Sequence, residues 1–155
     1  MALLEREAHL AELHRAATDA ATGRGRTVLV TGEAGIGKTS LVEAFARDVE
    51  SSARVLWGAC EALFTPRPLG PFYDIVHELG GPLLARLEGD AKHIDLFYGL
   101  LHAIRQHDTP SVMVLEDVHW ADHASLDFIR FFGRRIHKAP AVLVLTFRDD
   151  EVGAD

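Results

Sequence analysis

Gly32-Glu33-Ala34-Gly35-Ile36-Gly37-Lys38-Thr39 satisfies the pattern G-x-x-x-x-G-K-[ST] at every defined position. Its surroundings narrow the fold further. Val28-Leu29-Val30-Thr31 just before it reads as a short buried strand, and Leu41, Val42, Phe45 and Val49 after it recur on one face of a helix. A strand, a glycine loop and a helix in that order predict an α/β chain. A turn that only caps a helix needs neither Lys38 nor Thr39.

The residue types are set by the task of such a loop. To wrap a polyphosphate it turns its backbone N–H groups inward, and side chains at Gly32, Gly35 and Gly37 would obstruct that approach or forbid the φ angles. The helix starting near Lys38 adds the positive end of its dipole, and the Lys38 ammonium reaches β- and γ-phosphates. Thr39 offers a hydroxyl to Mg²⁺. The candidate nucleotide contacts are therefore Gly32, Glu33, Ala34, Gly35, Ile36, Gly37, Lys38, Thr39 and Ser40.

A second motif lies far downstream. Val112-Met113-Val114-Leu115-Glu116-Asp117 is an apolar strand ending in two carboxylates, which matches a Walker B element. In a parallel sheet its C-terminal end lies at the same edge as the phosphate loop. Glu116 holds the position that supports Mg²⁺, and Asp117 the position that orients or deprotonates the attacking water, although the two roles are interchangeable by sequence. Thr146-Phe147-Arg148 closes another strand. Arg148 either reads a γ-phosphate or pairs with Asp149, Asp150 or Glu151.

Between the motifs, apolar spacing predicts helices over 3–21, from the phosphate loop to about Glu50, over 72–79, a short one opened by Pro82, over 91–107 and over 124–136. Arg54–Gly58 and Ala141–Phe147 read as strands, and Pro66–Pro71 as a loop that sets the angle of the next helix. Strands alternating with helices give a three-layer α/β/α P-loop NTPase fold whose mainly parallel sheet has about four strands, with an incomplete core as an open alternative.

Composition excludes several classes. At 155 residues one domain is expected, and a net charge of −7 opposes binding nucleic acid through its phosphates. Cys60 is the only cysteine, so no disulfide or thiolate metal site exists and a reducing, cytoplasmic setting fits. No apolar run approaches a membrane span. His119 and His123 are spaced to share a helical face, but without a third ligand they read as structural. The chain contains no Asn, so the Asn-Lys-x-Asp guanine reader is missing and ATP is the expected nucleotide.

Leu3-Leu4-Glu5-Arg6-Glu7, the segment Val30–Thr39, Leu115-Glu116-Asp117-Val118-His119-Trp120-Ala121-Asp122 and Leu145-Thr146-Phe147-Arg148 together resemble the N-terminal NTPase of STAND ATPases, in particular that of large LuxR-family transcriptional regulators. The resemblance implies an AAA/STAND-type ATP/ADP switch with slow Mg²⁺-dependent hydrolysis. It places Arg6 near the nucleotide, although Glu5 stands where the family has Gly, and it gives Trp120 and Asp122 a role in fixing the loop after Walker B. It also implies that residues 1–155 are a single domain lacking the family's lid, repeat region and DNA-binding domain, with self-association or the other domains of a longer regulator as partners. Two rival readings stay open: a P-loop phosphotransferase, and a truncated, non-catalytic interaction module.

Overall fold

The computed structural model describes residues 3–33, 35–62 and 68–149, with side chains from Arg6 onward. Its elements are α1 (Leu3–Ala21), β1 (Arg26–Gly32), α2 (Lys38–Val49), β2 (Arg54–Ala59), α3 (Gly70–Leu79), α4 (Gly81–Leu87), α5 (His93–Gln106), β3 (Ser111–Glu116), α6 (His123–Arg135) and β4 (Ala141–Arg148). Single 3₁₀ turns at Val118–Trp120 and Ile136–Lys138 flank α6. The sheet is parallel throughout in the order β1-β4-β3-β2. Every one of its connections therefore crosses over a face, and helices cover both.

The central strands alternate between two cores. Val112, Val114, Val142 and Val144 pack with Leu13, Ala16 and Ala20 of α1 and with Leu41, Val42, Phe45 and Val49 of α2. Met113, Leu115, Leu143 and Leu145 face the other way, onto α3 to α6 and the ring cluster Phe72, Phe97, Phe128, Phe131 and Phe132. Burial on both faces explains why β3 and β4 are uninterrupted apolar runs rather than alternating ones. This is the three-layer arrangement expected from the sequence.

One expectation needs correction. The strand before the phosphate loop is not buried: Leu29 is 57% exposed and the strand alternates between exposed and half-buried positions. The reason is topological, because β1 ends the described sheet and pairs with β4 alone. The opposite edge is closed differently. There the Trp57 and Ala59 N–H groups donate to Glu78 Oε2 and Asp74 Oδ2 of α3, at 3.3 and 3.2 Å. α3 comes this close because Gly58 has no side chain; a Cβ there would sit 2.5 Å from the Pro71 carbonyl oxygen.

Element boundaries follow local chemistry. Pro71 sits in the first turn of α3 and Pro82 in that of α4, where a missing N–H costs nothing. Of the proline loop expected over 66–71, Pro66 and Arg67 lie outside the described residues. His119 and His123 do not share a helical face, because the first is in a 3₁₀ turn and the second opens α6. Among the described residues no helix is long and apolar enough to cross a membrane.

Candidate functional site

The phosphate loop is built from backbone. Gly32, Gly35 and Gly37 have φ of 154°, 78° and 95°, and Gly37 is the left-handed cap from which α2 starts. A side chain would be strained at each. Lys38, the first residue of α2, is only 8% exposed, and its Nζ donates to the carbonyl oxygens of Gly32 and Glu33 at 2.9 and 2.8 Å. The loop thus binds its own cation through two of its carbonyls. Ala34 lies outside the described residues, while Glu33 and Ile36 are exposed on the loop.

The strand-end half is built from side chains. Glu116, the last residue of β3, accepts a hydrogen bond on Oε1 from the Thr39 hydroxyl at 3.0 Å and one on Oε2 from the Trp57 indole Nε1 at 2.8 Å. Two motifs 77 residues apart meet in the first of these bonds. Asp117 comes next, with φ 56° and ψ 47°, a left-handed conformation that Asp tolerates better than most residues. Its N–H donates to Thr146 Oγ1 at 3.1 Å, so the chain turns out of the sheet while tied to β4. Thr146 is buried.

Arg148 ends β4 directly opposite Gly32 in the β1–β4 register. Its N–H donates to His119 Nδ1 at 3.2 Å, which requires that nitrogen to be unprotonated. Asp150 and Glu151, two of its expected ion-pair partners, lie outside the described residues. Arg6 on α1 donates from Nη2 to the Ser40 carbonyl at 3.5 Å, so it borders the first turn of α2.

Gly35, Gly37, Lys38, Thr39, Ser40, Asp117 and Arg148 line one cleft of about 470 Å³ at the C-terminal edge of the sheet. Its lining joins the glycine loop and the start of α2 to two cations and one carboxylate, a composition suited to a polyphosphate. Among the described residues no group of three or more His, Cys, Asp or Glu side chains is placed to hold a metal alone. A hydroxyl and a carboxylate in contact do fit Mg²⁺, which keeps oxygen ligands from phosphate and water to complete its shell. The Thr39 hydroxyl donates its hydrogen bond to Glu116, which leaves its oxygen lone pairs available as a ligand.

Against known families, the model described as AAA ATPase domain matches residues 2–145. The chain belongs to that family. No curated protein sequence matches it. Among solved structures it is similar to Cdc6p from Pyrobaculum aerophilum, with a TM-score of 0.71, 19% identity, and 96% of this chain and 40% of that one covered. It is also similar to Drosophila ORC bound to DNA, with a TM-score of 0.62, 17% identity, and 92% and 37% covered. A third is PCH-2 of C. elegans, with a TM-score of 0.57, 15% identity, and 97% and 39% covered. At these identities the likeness is one of fold, and this AAA ATPase domain spans about 40% of the length of the Cdc6p chain.

Sequence reasoning about this AAA ATPase domain overlooked Trp57, Thr146 and the polar contact of His119. Trp57 becomes legible only once the β2–β3 pairing is known: it pairs with Val114, so its side chain and that of Glu116 are diagonal neighbours on one face. Asp122 fixes the loop after β3 as expected. Its side chain accepts from the Ser125 N–H and hydroxyl as the N-cap of α6, and from the Leu69 N–H at the start of α3. Burial pushes its carboxyl up, but the bonds from Ser125 and Leu69 outweigh that and hold it below the usual carboxylate range. Cys60 behaves oppositely: burial first, then Asp122, Asp117 and Asp74, push its thiol up to about 12.

Proposed function

We propose that this AAA ATPase domain binds Mg·ATP in the cleft between the phosphate loop and the β3 and β4 ends, and hydrolyses it slowly. The observation that carries the reading is the Thr39–Glu116 hydrogen bond, because it joins the two motifs at the point where a phosphate-bound cation needs oxygen ligands. The loop N–H groups and the N-terminus of α2 would hold the β-phosphate. Lys38 would exchange its two carbonyl acceptors for phosphate oxygens, a stronger, charge-assisted pairing. Thr39 and Glu116 would hold Mg²⁺, which when bound offsets the charge of the phosphates.

Asp117, which lines the cleft, is the group to orient the attacking water and accept its proton. Arg148 would meet the γ-phosphate and so distinguish ATP from ADP. Arg6, beside the first turn of α2, would stand on the nucleoside side. In this reading the domain is a STAND-type switch within a longer LuxR-type transcription regulator, cytoplasmic, with its other domains or a second copy as partners. The resemblance in the segments 115–122 and 145–148 supports that placement.

Calorimetric titration of the chain with ATP and then ADP, in Mg²⁺ and in EDTA, tests the reading. Micromolar binding that weakens in EDTA is the expected result. A folded chain that binds neither nucleotide would overturn it.

A further inference from the structure

From the contacts of the Glu116 carboxylate we infer that Trp57 is a positioning residue for the cation site, its indole N–H selecting which oxygen of Glu116 faces Thr39. The inference rests on the Mg·ATP reading and names a residue that no part of the motif contains. Among the described residues each Glu116 oxygen has one hydrogen-bond partner: Oε2 takes the Trp57 Nε1–H at 2.8 Å, and Oε1 takes the Thr39 hydroxyl at 3.0 Å. With Oε2 engaged, the carboxylate is fixed about its terminal torsion, and the only oxygen left for Thr39 is Oε1.

Trp57 is itself held. Its backbone N–H donates to Glu78 Oε2 of α3, and its ring packs at the margin of the core shared by Val55 and α2. A half-buried indole and a carboxylate form a charge-assisted bond about twice as strong as a neutral one. Partners of this kind, which orient a metal-supporting group, typically change metal affinity by about 10- to 100-fold when removed. Ordinary packing of the ring makes a different prediction, because it would touch nucleotide affinity equally with and without the cation.

The test compares Trp57→Phe with the unaltered chain. Phe keeps the apolar ring but removes the N–H donor. ATP affinity is measured in Mg²⁺ and in EDTA, and the ratio of the two is the readout. The unaltered chain should bind more tightly in Mg²⁺, and W57F should lose roughly tenfold of that enhancement while keeping its EDTA affinity. An undiminished enhancement in W57F would overturn the inference while leaving the ATP reading standing. No binding by the unaltered chain would overturn both.

Should W57F not fold, the unaltered chain carries the test by itself. The Trp57 indole ¹H–¹⁵N resonance, told from that of Trp120 with Trp120→Phe, should shift between ATP in EDTA and ATP in Mg²⁺. A resonance that stays in place would overturn the inference.

Discussion

The two walls of the cleft are made in different ways. The phosphate loop is local: within eight residues it supplies its own turns, its helix N-terminus and its cation, and Lys38 bonds to carbonyls five and six residues back. The strand-end wall is assembled from a distance. Glu116 meets Thr39 across 77 residues and Trp57 across 59, and Asp117 and Arg148 are each tied across 29. The first wall is therefore a property of a short motif, and the second a property of the sheet. Loss of the loop's lysine should all but abolish binding, whereas damage to the second should leave nucleotide bound, weaken its Mg²⁺ enhancement and impair its turnover.

The largest effect expected from this contrast is that of Lys38→Ala. Removing a charge-assisted donor to phosphate should weaken ATP binding by roughly 100-fold or more, read by calorimetry, with the chain still folded by circular dichroism. Binding at the original strength would end the claim that the loop holds the phosphates. Asp117→Asn comes next and should separate the walls most clearly. Asn accepts the left-handed backbone, so affinity should stay within about twofold while turnover falls by about 100-fold or more.

Thr146→Val probes the sheet-borne wall by a residue outside the cleft lining. It removes the buried Thr146 hydroxyl that accepts from the half-buried Asp117 N–H, and should cost about 1 kcal/mol in denaturant melts. Turnover should drop more than affinity. Asp122→Ala removes the α6 cap and the acceptor for the Leu69 N–H, costing about 1 kcal/mol. Because the folded carboxyl lies below its ordinary value of 3.8, its contribution is present above that pH and lost as pH falls through the lowered value. The unaltered chain should therefore lose more stability on acidification below pH 3.8 than D122A does, in parallel melts.

The smallest effect belongs to Cys60, whose N–H donates to the Glu116 carbonyl behind the strand end. With its thiol pushed up to about 12 it stays protonated, so a thiolate-directed reagent at pH 8 should leave the folded chain unmodified. Rapid labelling would show that the strand-end wall opens.

The same contrast explains how much could be read in advance. The phosphate loop was legible because its demands on φ, on charge and on a hydroxyl act within one turn of chain, and Gly32, Gly35, Gly37, Lys38 and Thr39 meet them in order. Glu116 and Asp117 were legible as a strand end. The parallel sheet and the three layers were legible in apolar runs buried on both faces. The partners that depend on which strands are neighbours escaped. Neither the exposure of Leu29, the Trp57–Glu116 bond nor the Thr146–Asp117 bond can be seen until β1 is known to end the described sheet and β3 to lie between β2 and β4.

The central claim is that the two walls act on one nucleotide-bound cation, and a double-mutant cycle tests it most directly. ATP affinity in Mg²⁺ would be measured for Thr39→Ala, Glu116→Gln and the pair together. The account predicts strong non-additivity, with the double variant losing little more than the worse single one, because either change breaks the same joint. Losses that simply add would mean that the loop and the strand end serve the nucleotide independently, and would contradict it.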